Sequence, residues 1–83
     1  MNLCFIIGKI ISDIEFKFVV NDRNKMSISL FVVELNNKSR IKIKGYNNIA
    51  DFCYQNLRKE DNIILEGYIS NKMNIVIYKI NKL

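Results

Sequence analysis

The sequence has no histidine, no proline and no tryptophan, and its 83 residues include only three glycines and two cysteines. Without histidine the chain lacks the commonest general base and metal ligand. Eight carboxylates are present but scattered. The nearest pairs, Asp13/Glu15 and Glu60/Asp61, have no nucleophile candidate beside them in sequence. Three glycines form neither a G-x-G-x-x-G turn nor a P-loop. The expectation is a protein that is not an enzyme and uses neither a metal nor a cofactor. Cys4 and Cys53 are too few for a disulfide framework and make no C-x-x-C pair, so each reads as a small buried hydrophobe. Long apolar runs are also missing. The run in MNLCFIIGK stops at Gly8-Lys9, too short for a signal peptide or a membrane span. A cytoplasmic protein without a membrane partner is the simplest expectation.

An apolar content of 49% excludes a disordered or linker protein. Eighty-three residues make one domain, 1–83, of the size that buries about 60% of its unfolded surface. The net charge is +5, and it is unevenly spread. Residues 1–36 carry four Lys/Arg against four Asp/Glu, and residues 37–83 carry nine against four. Such an excess favours an anionic partner, nucleic acid or a membrane surface. It begins at SRIKIKGYNN, where Arg40, Lys42 and Lys44 alternate with Ile41 and Ile43. A two-residue period of charged and β-branched residues marks a half-buried strand whose cations form one spaced row.

The same period recurs along most of the chain. Residues 3–18 read as one long or strongly bent strand, with Gly8 at a bulge or bend. A polar turn at Asn21–Asn24 leads to a second strand, in which Met26, Ile28, Leu30 and Val32 alternate with Ser27, Ser29, Phe31 and Val33. Asn36-Asn37-Lys38 signals a hairpin into the third strand at 39–45. The period then changes: Ile49, Phe52, Cys53 and Leu57 share one face of a short helix, with Asn48 as its N-cap. Two further strands follow, separated by a turn near Ser70–Lys72. The pattern predicts an all-β, five-stranded OB-fold barrel with one short helix between strands 3 and 4.

The residues also resemble the bacterial single-stranded DNA-binding protein (SSB) family. Gly8, Lys9, Ile10, Asp13, Glu15, Phe16, Lys17 and Phe18 follow the order of that family's first strand, with Ile14 in place of a proline. Ile28, Ser29, Leu30 and Val32 resemble its second strand, and Arg58–Ile69 is similar to the segment that opens its fourth. Asn47 and Glu60 stand where glycine is usual. Ending at Leu83, the chain is expected to be a short member without the family's acidic tail. It is also similar to primosomal replication protein N, a tail-less relative. The resemblance implies non-sequence-specific binding of single-stranded DNA by a homodimer or homotetramer in replication, recombination or mobile-element transfer. The alternatives are an assembly subunit, primosome-like, with weak or no DNA binding, and an RNA-binding OB domain.

Binding single strands takes a cationic track and aromatic platforms. With Ile28, Leu30, Ile41 and Ile43 assigned to the core, parity sends Phe31, Arg40, Lys42 and Lys44 to the outer face, which OB-folds use for ligand strands. Phe31 is then a base-stacking candidate or part of a subunit interface. Tyr46 is a second stacker or a barrel plug, and Tyr68 points outward on the fourth strand. Lys17, Phe18 and Lys72 lie near the loops that flank such a groove, although Phe18 also suits the core. The last strand, apolar on both faces, and Phe5, Ile7 and Ile11 on the first suggest self-association.

Overall fold

The computed structural model describes residues 3–70, 72 and 74–83. Asn71 and Met73, expected in the last turn and at the start of the last strand, lie outside them. The elements are β1 (Cys4–Ile10), β2 (Glu15–Asn21), β3 (Asn24–Glu34), β4 (Arg40–Tyr46), α1 (Asn48–Asn56), β5 (Asn62–Ile69) and β6 (Ile75–Lys82). The strands are hydrogen-bonded in the order β1-β5-β6-β4-β3-β2, and β1 pairs a second time with β3. That pairing closes a five-stranded barrel, an OB-fold, and leaves β2 bonded to β3 alone. All pairings are antiparallel except β4 with β6.

The expected single strand over 3–18 is two strands, so the helix follows the fourth strand rather than the third. The cause is a mismatch in spacing. Ile10 pairs with Val33 and Glu15 with Leu30, so five steps on one side oppose three on the other. Residues 11–14 absorb the surplus as a bend. Ile11 N–H donates to the Val32 carbonyl at 2.9 Å, and Val32 N–H donates to the Ser12 hydroxyl at 2.8 Å. A side chain thus replaces one rung of the ladder where the chain passes from the barrel wall to the β2–β3 hairpin. Ile14, within this bend, packs against the core.

Gly8 marks a close approach rather than a bulge. Its pairing with β5 is in continuous register, but a Cβ there would lie 2.5 Å from Val33 Cγ1 and 2.7 Å from the Glu34 carbonyl oxygen. Any side chain would push β1 off β3 at the point of closure. The bulge sits instead in β6, where Tyr78 is the extra residue opposite Glu66 and Gly67 of β5. Inside the barrel, Ile10, Phe31, Val33, Ile43, Ile63, Leu65, Ile75, Ile77 and Ile80 form one buried cluster with Cys53 and Leu57 of the helical segment.

The helix packs mainly on β3 and β4. Ala50, Cys53 and Leu57 are buried beneath it, whereas Phe52, expected on that face, is exposed. Its N-cap is Asn47 rather than Asn48, without a side-chain capping bond. The first turn is held from β3 instead. The buried Ser27 hydroxyl donates its one proton to the Asp51 carboxylate at 2.8 Å, and the Asn47 carbonyl lies 3.2 Å from the same oxygen. Gly45 lets the helix approach β4, since a Cβ there would lie 3.1 Å from Ile49 and 3.3 Å from the Ser29 hydroxyl. Burial pushes the Cys53 thiol up to about 11 despite the opposing influence of Ser29, whose own hydroxyl makes no hydrogen bond of good geometry. Asn47 and Glu60, the two replacements for glycine, adopt positive φ of 56° and 83°. The turns keep a glycine-like path at some cost in backbone strain. Among the described residues no helix is long and apolar enough to cross a membrane.

Candidate nucleic-acid interface

The site is set by the hairpin that joins β3 to β4. Lys38 N–H donates to the Leu35 carbonyl at 3.0 Å, Leu35 N–H donates to Ser39 at 2.8 Å, and Lys38 takes a left-handed φ of 72°. This is a three-residue loop in which Lys38 occupies the position that usually favours glycine. It fixes the register at Glu34 opposite Arg40 and Phe31 opposite Ile43. Directly opposed residues of an antiparallel pair share a face. On β4 the choice of face is plain, because Ile43 is fully buried while Arg40 and Lys42 are exposed.

Phe31 therefore follows Ile43 inward, with Ser27, Ser29 and Val33. At 3% exposure Phe31 is core, not a stacking platform or an interface residue, which corrects the sequence expectation. The sequence had no means of ranking the two faces of β3, since both carry large apolar residues. The structure places Ser27 and Ser29 where the helix needs small neighbours, and turns Ile28, Leu30 and Val32 outward. Those three are half-buried on the outer surface.

The outer surface is a grid of cross-strand rows. Lys17, Ile28 and Tyr46 make one row across β2, β3 and β4, and Glu15, Leu30 and Lys44 make the next. Val32 lies beside Lys42, and Glu34 beside Arg40. A groove of about 570 Å³ runs here, with Leu30 and Val32 among its lining, Lys42, Lys44 and Lys72 around it, and Asp13 and Glu15 on the β2 side. Lys72 joins the two β4 lysines from the turn before β6. Lys44 Nζ lies 5.4 Å from the centroid of the Tyr46 ring, a cation–π distance that holds the ammonium beside an aromatic face. Arg40 differs from its neighbours. Its Nε is 3.5 Å from the Glu34 carboxylate, an exposed ion pair that offsets part of its charge. Among the described residues Lys17, Lys42, Lys44 and Lys72 make no ion pair, and their field is open to a ligand.

Two expected residues lie apart. Phe18 pairs with Ser27, on the face of β2 opposite to Lys17, and is 60% exposed on the hairpin. Tyr68 is exposed outside the groove but in line with it, because Lys44 pairs with Val76 and Val76 with Tyr68. The sequence reading missed the outward turn of Ile28 and Leu30, both assigned to the core, and with them Val32, as well as the carboxylate side formed by Asp13 and Glu15. Elsewhere, Leu3, Phe5 and Ile7 form an exposed apolar row on the outer face of β1. No three His, Cys, Asp or Glu residues cluster to hold a metal ion among the described residues.

No family model matches the sequence, and no curated protein matches it. Solved structures do resemble the fold. The SSB domain of a Synechococcus sp. protein superimposes with a TM-score of 0.83 at 17% identity, covering 98% of this chain and 94% of that one. The wild-type single-stranded DNA binding protein from Thermus aquaticus gives 0.86 at 11% identity, with all of this chain spanning 40% of that one. A replication protein A heterotrimer bound to ssDNA gives 0.80 at 16% identity, with all of this chain spanning 22% of the matched one. At these identities the likeness is one of fold.

The revised faces separate two substitutions sharply. Phe31→Ala should cost ~3–5 kcal/mol of stability as a core truncation, and Lys42→Ala about 0.5 kcal/mol or less. Urea denaturation measures both, and a small effect at Phe31 would return that side chain to the surface.

Proposed function

We propose that this chain binds single-stranded DNA along the outer face of β3 and β4, as a non-catalytic protein of DNA replication, recombination or mobile-element transfer. The observation that carries the reading is the set of unpaired lysines, Lys42, Lys44 and Lys72, around a groove that also exposes Leu30 and Val32. Phosphates meet the ammonium groups, while unstacked bases lie over the apolar residues and against Tyr46. Lys17 extends the track at one end. A duplex hides its base faces, so it would gain only the charge contacts. With Phe31 in the core, the aromatic contribution falls to Tyr46 and, further round the barrel, Tyr68. The Thermus aquaticus protein is named for single-stranded DNA binding and the replication protein A structure holds ssDNA, which supports the same use of this fold here.

Anisotropy of a labelled oligo-dT, against a duplex of equal length at several salt concentrations, tests the reading. Oligo-dT should bind more tightly, with log K falling by about 0.7 per log unit of salt for each phosphate neutralised. Replacing Lys42 and Lys44 together with Ala should weaken binding and reduce that slope by about 1.4. Absence of binding at low salt would leave an OB-fold that serves assembly alone.

The apolar row of Leu3, Phe5 and Ile7 supports a second element of the proposal, a homodimer or homotetramer assembled through β1. Light scattering should give a multiple of the 9.8 kDa chain mass. A single-chain mass across the micromolar range would dismiss it.

A further inference from the structure

The groove carries opposite charges on its two sides. Lys42 and Lys44 stand on β4, and Glu15 stands on β2, with Leu30 between Glu15 and Lys44 in the same cross-strand row. Asp13 extends the acidic side along the bend. The two sides do not neutralise one another. Among the described residues, neither Asp13 nor Glu15 makes an ion pair, and neither do Lys42, Lys44 and Lys72. Two strand spacings, ~9.5 Å, separate the backbone of Glu15 from that of Lys44. The interval is wide enough for a nucleotide to lie across the sheet with Leu30 beneath it.

A site made only for phosphates has no use for carboxylates, which repel them. Their placement fits the far end of a nucleotide instead. With its phosphate against Lys44, a nucleotide lying over Leu30 directs its base edge toward Glu15. Ionised carboxylates only accept hydrogen bonds. Approaching the 4-position from the C5 side, away from ring N3, they suit the 4-amino group of cytosine, which donates, and oppose the 4-oxo group of uracil or thymine. We infer that the Asp13–Glu15 side gives the groove a compositional preference for bases with exocyclic amino groups, cytosine over uracil among the pyrimidines. The inference rests on the proposed single-strand reading and adds a bias in composition, not a sequence code.

Oligo-dC and oligo-dU of equal length, measured by anisotropy at pH 8, exchange a 4-amino for a 4-oxo group together with the proton on ring N3. Oligo-dC should bind about tenfold more tightly, the discrimination of a single good base-edge contact. In the double variant Asp13→Ala, Glu15→Ala the ratio should fall toward one, while oligo-dU binding strengthens as repulsion is removed. Both positions are exposed, so the variant retains its core. Oligo-dU binding as tightly as oligo-dC in the wild type, or a ratio untouched by the double variant, would overturn the inference and leave the single-strand reading standing. Failure to bind either oligonucleotide would overturn both.

Discussion

The groove depends on the register of one hairpin. Because the loop between β3 and β4 closes with Lys38 in a left-handed conformation, Phe31 lies opposite Ile43 and must share its face. A slip of one residue would exchange every side chain of β3 between core and surface. Phe31, Val33, Ser29 and Ser27 would then face solvent, and Leu30 and Val32 would fill the barrel. The cross-strand pair of Glu34 and Arg40 closes the same end of the ladder and agrees with the register the loop imposes.

Around that register the small residues mark where backbones and helix come close. Gly8 admits β1 against β3 at closure, and Gly45 with Ser29 admits the helix against the sheet. Ser27 joins the two levels, since its hydroxyl ties a core-facing position of β3 to the first turn of the helix. The outer face of β3 and β4 is therefore supported from beneath by a filled barrel. Lys42 and Lys44, two residues apart on β4, are spaced by backbone geometry, which suits a repeating row of phosphates. Lys72 alone of the groove cations comes from a turn.

Much of this was legible in the sequence. The alternation in Arg40–Lys44 gave the strand, its inward isoleucines and its outward cations, and the change of period at Ile49 marked the only helix among the described residues. The resemblance carried by Gly8–Phe18 and Arg58–Ile69 pointed to the barrel topology that the pairing of β1 with β3 completes. Three things were not legible. The bend at 11–14 arises from a mismatch in paired lengths, which appears only when β1 and β2 are laid against the same partner. The faces of β3 were ambiguous because Ile28, Leu30 and Val32 match Phe31 and Val33 in bulk, so hydrophobic period could not choose between them. Loop length could have chosen, but the three-residue solution required a lysine at positive φ, which composition does not favour. The carboxylates of the groove were visible in the Gly8–Phe18 block, but nothing in the sequence set them opposite the lysines, and only the pairing of β2 with β3 brings Glu15 into line with Lys44.

The proposed function needs the groove face to be the contact surface, distinct from the apolar row on β1. An NMR titration of the isotope-labelled protein with a single-stranded oligonucleotide measures this residue by residue. The account predicts the largest amide shifts at Leu30, Val32, Lys42, Lys44 and Tyr46, with Phe5 and Ile7 little changed. Shifts concentrated on β1 with β4 silent would contradict it.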